Sequence, residues 1–222
     1  MSRFILAGML VLILLLTVAP QTEGGIAKSP RKYNMLNFYG GYAEPHGEYD
    51  WVGLIDVGIQ NSQGEILDNV DAESVFDPTW YVGFDYGTLY NRHMLIMIGF
   101  RFTEHNAQDW IREQVARFTY RQYDIEFNAN YMLFDLSRKI ASPYVGAGVQ
   151  AGFTSYAEEG YDDDSQLKVA VSLNFGADLK IYQAPQSRSF VTISSMNNYN
   201  LWGSKDRPQY LNLGAALRYY FR

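Results

Sequence analysis

The chain has 222 residues, a net charge of −6, no cysteine, and 16% aromatic residues that include 18 Tyr and 13 Phe. Without cysteine there is no disulfide, thiolate metal centre, cysteine nucleophile or acylated lipoprotein anchor, and the acidic balance argues against a nucleic-acid binder, which normally shows a clustered basic surface. A mean hydropathy of −0.22 is too polar for a helical membrane protein, whereas a transmembrane barrel needs only alternate residues to be apolar.

Met1-Ser2-Arg3 gives a short positive start, and Phe4 to Val18 follows as an apolar run. That run suits the hydrophobic region of an export signal and falls short of the roughly 20 residues a membrane-spanning helix needs. Small residues suited to cleavage lie at Ala19, Gly24-Gly25 and Ala27; Pro20 disfavours a cut directly after Ala19. The expectation is a signal peptide over residues 1–27, with the cut between Gly24 and Lys28, and one barrel domain over 28–222. An uncleaved anchor helix is the rival reading of the same run.

Beyond this segment the recurring period is two. Gln122, Asp124, Glu126, Asn128 and Asn130 alternate with Tyr123, Ile125, Phe127, Ala129 and Tyr131. Val169, Val171, Leu173, Phe175, Ala177 and Leu179 alternate with Lys168, Ala170, Ser172, Asn174, Gly176, Asp178 and Lys180. Successive side chains of a strand point to opposite faces, so each stretch is a strand with one apolar and one polar face. Weaker copies run over Asn34–Tyr42, Trp80–Thr88, His93–Thr103, Pro143–Phe153, Arg188–Met196 and Tyr210–Phe221.

The pattern predicts eight antiparallel strands. Connections alternate between short (Leu89–Arg92, Phe134–Ser142, Gln183–Ser187) and long (Ala43–Thr79, Glu104–Arg117, Thr154–Leu167, Asn197–Gln209). Short turns on one side and long loops on the other is the pattern of outer-membrane barrels, with the turns in the periplasm. The fold expected is an all-β, antiparallel, up-and-down transmembrane β-barrel. Within the first long loop, residues 49–70 form either a hairpin of the loop or two further barrel strands, which would make ten.

Alternation does not say which face is the inside, because a soluble lipocalin-like carrier alternates with its apolar face inward. Glycines on the polar face (Gly146, Gly148, Gly152) suit a narrow filled interior. Aromatics near strand ends (Trp80, Tyr131, Phe134, Tyr182, Tyr219, Phe221) suit an interfacial girdle. The final stretch Asn212 to Phe221 resembles the C-terminal assembly signal of outer-membrane proteins, at Asn212, Gly214, Leu217, Tyr219 and the terminal aromatic Phe221. Arg222 is one residue beyond the family's usual aromatic end. Pro143-Tyr144-Val145-Gly146-Ala147-Gly148-Val149 is similar to a mid-barrel strand of OmpA- and OmpX-like proteins. The resemblance implies a monomer in the outer membrane among lipid and lipopolysaccharide, its last strand read by the barrel-assembly machinery.

Inward positions on this reading include Asp85, Arg101, Asp124, Glu126, Lys168, Asp178, Lys180 and Arg218. Isolated charges in a confined lumen are costly, so a salt-bridged plug is expected; a narrow channel for small solutes or ions is the alternative. An outer-leaflet lipid A-modifying hydrolase would need His and Ser together at the lipid-facing rim, and His46, His93 and His105 offer no such pair on one strand face. They are read as exposed or girdle histidines, with His46 and His105 in extracellular loops. The acidic run Glu158 to Asp164 does not fit an EF-hand spacing and reads as a solvated loop tip. Gln108–Phe118 reads as a helical turn, an interfacial contact or an extended strand. No cofactor, metal or catalytic residue is expected, and the function expected is non-enzymatic: structural or surface interaction through the long loops.

Overall fold

In the computed structural model the described residues are 32–46, 48–50, 59–60, 66–67, 69–71, 75–109, 118–158, 164–184, 189–203 and 209–222. The expected signal peptide, most of the acidic run after Glu158 and most of Gln108–Phe118 lie outside them.

Eight long strands form the barrel: β1 (Tyr33–His46), β2 (Thr79–Tyr90), β3 (Met94–Asn106), β4 (Phe118–Met132), β5 (Ala141–Glu158), β6 (Asp164–Gln183), β7 (Phe190–Gly203) and β8 (Gln209–Phe221). Each pairs antiparallel with its sequence neighbours. β8 closes the sheet on β1 in a register running from Asn34 opposite Phe221 to His46 opposite Gln209. Closure leaves no unpaired edge, which a sheet surrounded by hydrocarbon requires.

The described residues between 49 and 70 pair among themselves and not with the barrel wall. Glu48–Asp50 pairs with Asn69–Asp71, and Ile59–Gln60 pairs with Ile66–Leu67, as two separate two-stranded sheets. The barrel therefore has eight strands and not ten. The strands also run further than the alternation reached: β5 and β6 still pair at Tyr156 and Asp164. Backbone pairing continues above the apolar zone because a ladder needs no apolar face to persist.

The faces are those of a barrel in lipid. Outward side chains include Phe38 (62% exposed), Trp80 (75%), Ile125 (58%) and Leu217 (51%), while Arg101 (2%), Asp124 (0%) and Arg218 (0%) are inside. A water-soluble protein reverses this distribution. At about 25 cal/mol per Å², an apolar belt this extensive is stable only against another apolar phase.

At the turn end, Asn91-Arg92-His93 joins β2 to β3, with Tyr90 paired to Met94. Both Asn91 (φ 46°) and Arg92 (φ 70°) are left-handed, and His93 N–H donates to the Tyr90 carbonyl at 3.0 Å. This is the backbone pattern of a type I′ turn, where glycine usually takes the second position. Arg92 holds it while its guanidinium bonds Asp135 of the next turn at 2.9 Å.

Candidate functional site

The lumen is built in layers. At the turn end Met35, Leu89, Leu95, Met132, Leu136, Phe190 and Tyr220 form a buried apolar cap. Leu136 reaches it from the turn between β4 and β5, which caps the Asp135 carboxylate with the Ser137 N–H (2.9 Å) and Oγ–H (2.6 Å).

Above the cap lies the charged interior. Arg218 Nη1 meets Asp178 Oδ1 at 2.6 Å, and Tyr220 donates its hydroxyl to the other Asp178 oxygen at 2.8 Å. The Arg218 guanidinium also lies 5.0 Å from the centre of the Tyr144 ring. Asn37 donates to Asp85 at 2.7 Å. Arg101 forms the second centre. Its Nη2 contacts Asp124 Oδ2 at 3.1 Å and Gln150 Oε1 at 2.9 Å, and its Nε faces Glu126 Oε1 at 3.1 Å. Tyr39 donates to the other Glu126 oxygen at 3.3 Å.

Arg101 with Asp124 and Glu126, and Arg218 with Asp178, thus form two ion-paired centres, while Asp85 is buried in the lumen with its hydrogen bond from Asn37. Lys168 is buried nearer the loop end, with Gly152 opposite it on β5. Lys180 sits apart at the turn-end rim, half-buried, where Nζ donates to the Leu136 carbonyl and to Gln183 Oε1, each at 2.9 Å.

Amides complete the lumen. Asn174 donates to Asn128 (2.8 Å) and Asn130 (3.2 Å), Asn198 donates to Asn174 (2.6 Å), and Asn212 donates to Asn198 (3.3 Å). Asn128, Asn130 and Asn174 were visible on the polar faces, whereas Asn198 fell in an expected loop and lies on β7; the ladder crosses β4, β6, β7 and β8 and depends on register. Tyr39, Gln150 and Asn37 carried no sequence signal beyond their parity.

Glycines make the room. Gly99 stands opposite Asp85, Gly152 opposite Asp124, and Gly148 opposite Asn128. At each, an added Cβ would run into the facing side-chain oxygen. Between Arg101, Glu126, Asn128, Asn174, Asn198 and Asn212 lies a cavity of about 10 Å³, room for about one water molecule.

The loop end is closed by aromatics. Val75 and Phe76 are fully buried, tied down by Asp77 N–H to the Asn106 carbonyl (3.0 Å) and Gln108 N–H to the Val75 carbonyl (2.9 Å). Phe76 packs edge-on to His105 at 6.0 Å. His105 corrects the sequence expectation: it is fully buried on the inward face of β3, stacked on Tyr210 at 4.5 Å. Its odd parity with Arg101 and Thr103 was the available signal, lost because the strand was ended at Thr103. His93 lies at the turn end, its Nδ1 2.7 Å from the Met132 carbonyl and its ring stacked on Tyr131.

In the C-terminal stretch, Asn212 points inward, Gly214 lies beneath the Tyr81 ring, Leu217 and Tyr219 face outward, and Phe221 is half-buried.

No family model matches the chain, and no curated protein matches it. Among solved structures it is similar to Neisserial surface protein A, with 13% identity over 84% of this chain and 95% of that one and a TM-score of 0.48. It is also similar to Ail, the attachment invasion locus protein of Yersinia pestis, solved with the heparin analogue sucrose octasulfate (11% identity, 86% and 99% covered, TM-score 0.41). A third is the N-terminal β-barrel domain of Pseudomonas aeruginosa OprF (14% identity, 87% and 100% covered, TM-score 0.40). These neighbours are small eight-stranded outer-membrane barrels. The likeness is one of fold, at identities too low to carry a function.

Proposed function

We propose that the chain is an integral protein of the bacterial outer membrane, a closed barrel with a non-conducting lumen and a structural or surface-interaction role. Its short turns face the periplasm and its longer connections face outward. The observation that carries this reading is the pairing of an apolar outer belt with an ion-paired, amide-laddered interior, in which the cavity beside Arg101 and Glu126 holds about 10 Å³. An ion keeping its hydration shell does not fit such a space, and stripping it costs several kcal/mol. One chain closes the sheet unaided, so the protein is proposed to work as a monomer among lipid and lipopolysaccharide. The Asn212, Gly214, Leu217, Tyr219 and Phe221 pattern on the closing strand is proposed as the signal read by the assembly machinery. No catalytic role is proposed for it; lipid A from cells with and without the protein is expected to give the same mass spectrum.

Two measurements test this together. Cell fractionation with a heat-modifiability gel is expected to place the mature protein in the outer membrane as a compact, heat-shifted band. Refolded protein in a planar bilayer is expected to stay closed. Stable openings that change when Arg101 is neutralised would replace the plug with a channel.

A further inference from the structure

The described residues at the two ends of the barrel differ in charge. At the turn end the described cations are Lys32, Arg92, Arg138, Lys139, Lys180 and Arg222, and the described side-chain carboxylate among them, Asp135, is partly buried. At the loop end the described side chains include Glu44, Asp77, Glu104 and Asp109, with Arg121 paired to Glu104 at 2.8 Å. The chain as a whole carries −6, so the basic rim is a matter of placement and not of composition.

Three of the rim cations are already engaged. Arg92 (2.9 Å) and Arg138 (3.6 Å) share Asp135, though the Arg138 side chain remains 70% exposed. Lys180 donates to Leu136 and Gln183. Lys32, Lys139 and Arg222 are exposed and make no ion pair among the described residues. Lys32 lies over the Tyr90 ring at 4.8 Å and Arg222 over the Tyr33 ring at 4.7 Å.

Their depth identifies what they meet. Lys139 adjoins Ile140, which is 68% exposed, and the same turn begins at the outward-facing Leu133 and Phe134. Ile181 and Tyr182 follow Lys180 and are also exposed. Apolar side chains in this position mark the acyl boundary, and cations one residue beyond it sit at headgroup depth, where long stems reach outward.

We propose that the turn end is a rim for anionic phospholipid of the periplasm-facing leaflet, with Lys32, Arg138, Lys139 and Arg222 as its contacting groups. The inference rests on the membrane orientation proposed above. An anionic headgroup beside one surface cation gains roughly fivefold in local concentration.

The test reconstitutes the full mature chain into vesicles of equimolar phosphatidylcholine and phosphatidylglycerol, each in turn carrying a chain spin label. The expected result is a several-fold preference of the motionally restricted shell for phosphatidylglycerol. It should weaken as added salt shortens the screening length from about 10 Å to about 3 Å. The triple variant Lys32→Ser/Arg138→Ser/Lys139→Ser should lose most of the preference while keeping its heat-shifted gel band. A wild-type shell without preference, or a preference unchanged by both salt and the triple variant, overturns the proposal. If the variant does not fold, the salt series on the wild type decides alone. Failure of the wild type to insert into pure phosphatidylcholine vesicles as a heat-shifted band would instead overturn the membrane reading itself.

Discussion

Replacing Arg101 by methionine tests whether the lumen is a dry, ion-paired plug. Arg101 is 2% exposed and lies between two acids, 3.1 Å from Asp124 and 3.1 Å from Glu126, with Gln150 accepting at 2.9 Å. Methionine keeps much of the stem volume but removes the guanidinium from between two buried carboxylates. Removing one partner of a buried pair costs about 3–5 kcal/mol, so Arg101→Met should lose at least that. The triple variant Arg101→Met/Asp124→Asn/Glu126→Gln removes the two carboxylates together with the guanidinium between them, and it should return to within about 2 kcal/mol of wild type although three charged groups are gone. The assay is a urea titration of refolded protein in lipid vesicles, read by tryptophan fluorescence and by the heat-shifted band. A single-variant loss below about 1 kcal/mol is the value of a solvated surface pair; it would mean that water fills the lumen and that the packed-interior argument is wrong.

Other outcomes follow from the same contacts. Gly152→Val places a branched side chain against Asp124 and the Tyr123 carbonyl; a loss of about 3 kcal/mol is expected in the same titration, and a stability equal to wild type would show that the glycine is not making room. Leu136→Ala empties part of the turn-end cap and should cost about 2–4 kcal/mol. The Asp135 carboxyl is raised by burial, but the Ser137 hydroxyl and N–H and the Arg92 charge outweigh this and hold it below its ordinary value. A depressed carboxylate stabilises the fold at pH values above its unfolded value of about 3.9 and loses that contribution as pH falls through the folded value. Asp135→Asn should therefore lower stability at neutral pH and lose its effect in strong acid; a deficit equal at both pH values would refute the carboxylate's role.

Period-two alternation in Gln122–Asn130 and Lys168–Lys180 was enough to assign strands, faces and most inward charges, because side-chain direction along a strand is a local property. Turn spacing gave the up-and-down order for a similar reason, since short connections can only join antiparallel neighbours. Parity even reached as far as the amides, placing Asn128, Asn130 and Asn174 with Asp124 and Asp178. It failed at His105, where the strand continues past the apolar stretch that defined it. It was also indifferent at residues 49–70, whose short pairings have no consistent face to read.

The sequence by itself determined an export-like start, eight alternating segments and the residues each presents to one face. Only the tertiary structure decided which face is enclosed and which charges meet. Arg101 finds Asp124 and Glu126, and Arg218 finds Asp178, because ring closure of β8 on β1 fixes the register of every strand between them. A slip of one residue in any pairing would exchange the lumen and lipid faces of that strand. Partner choice inside the lumen is therefore a property of the closed ring and of no segment within it.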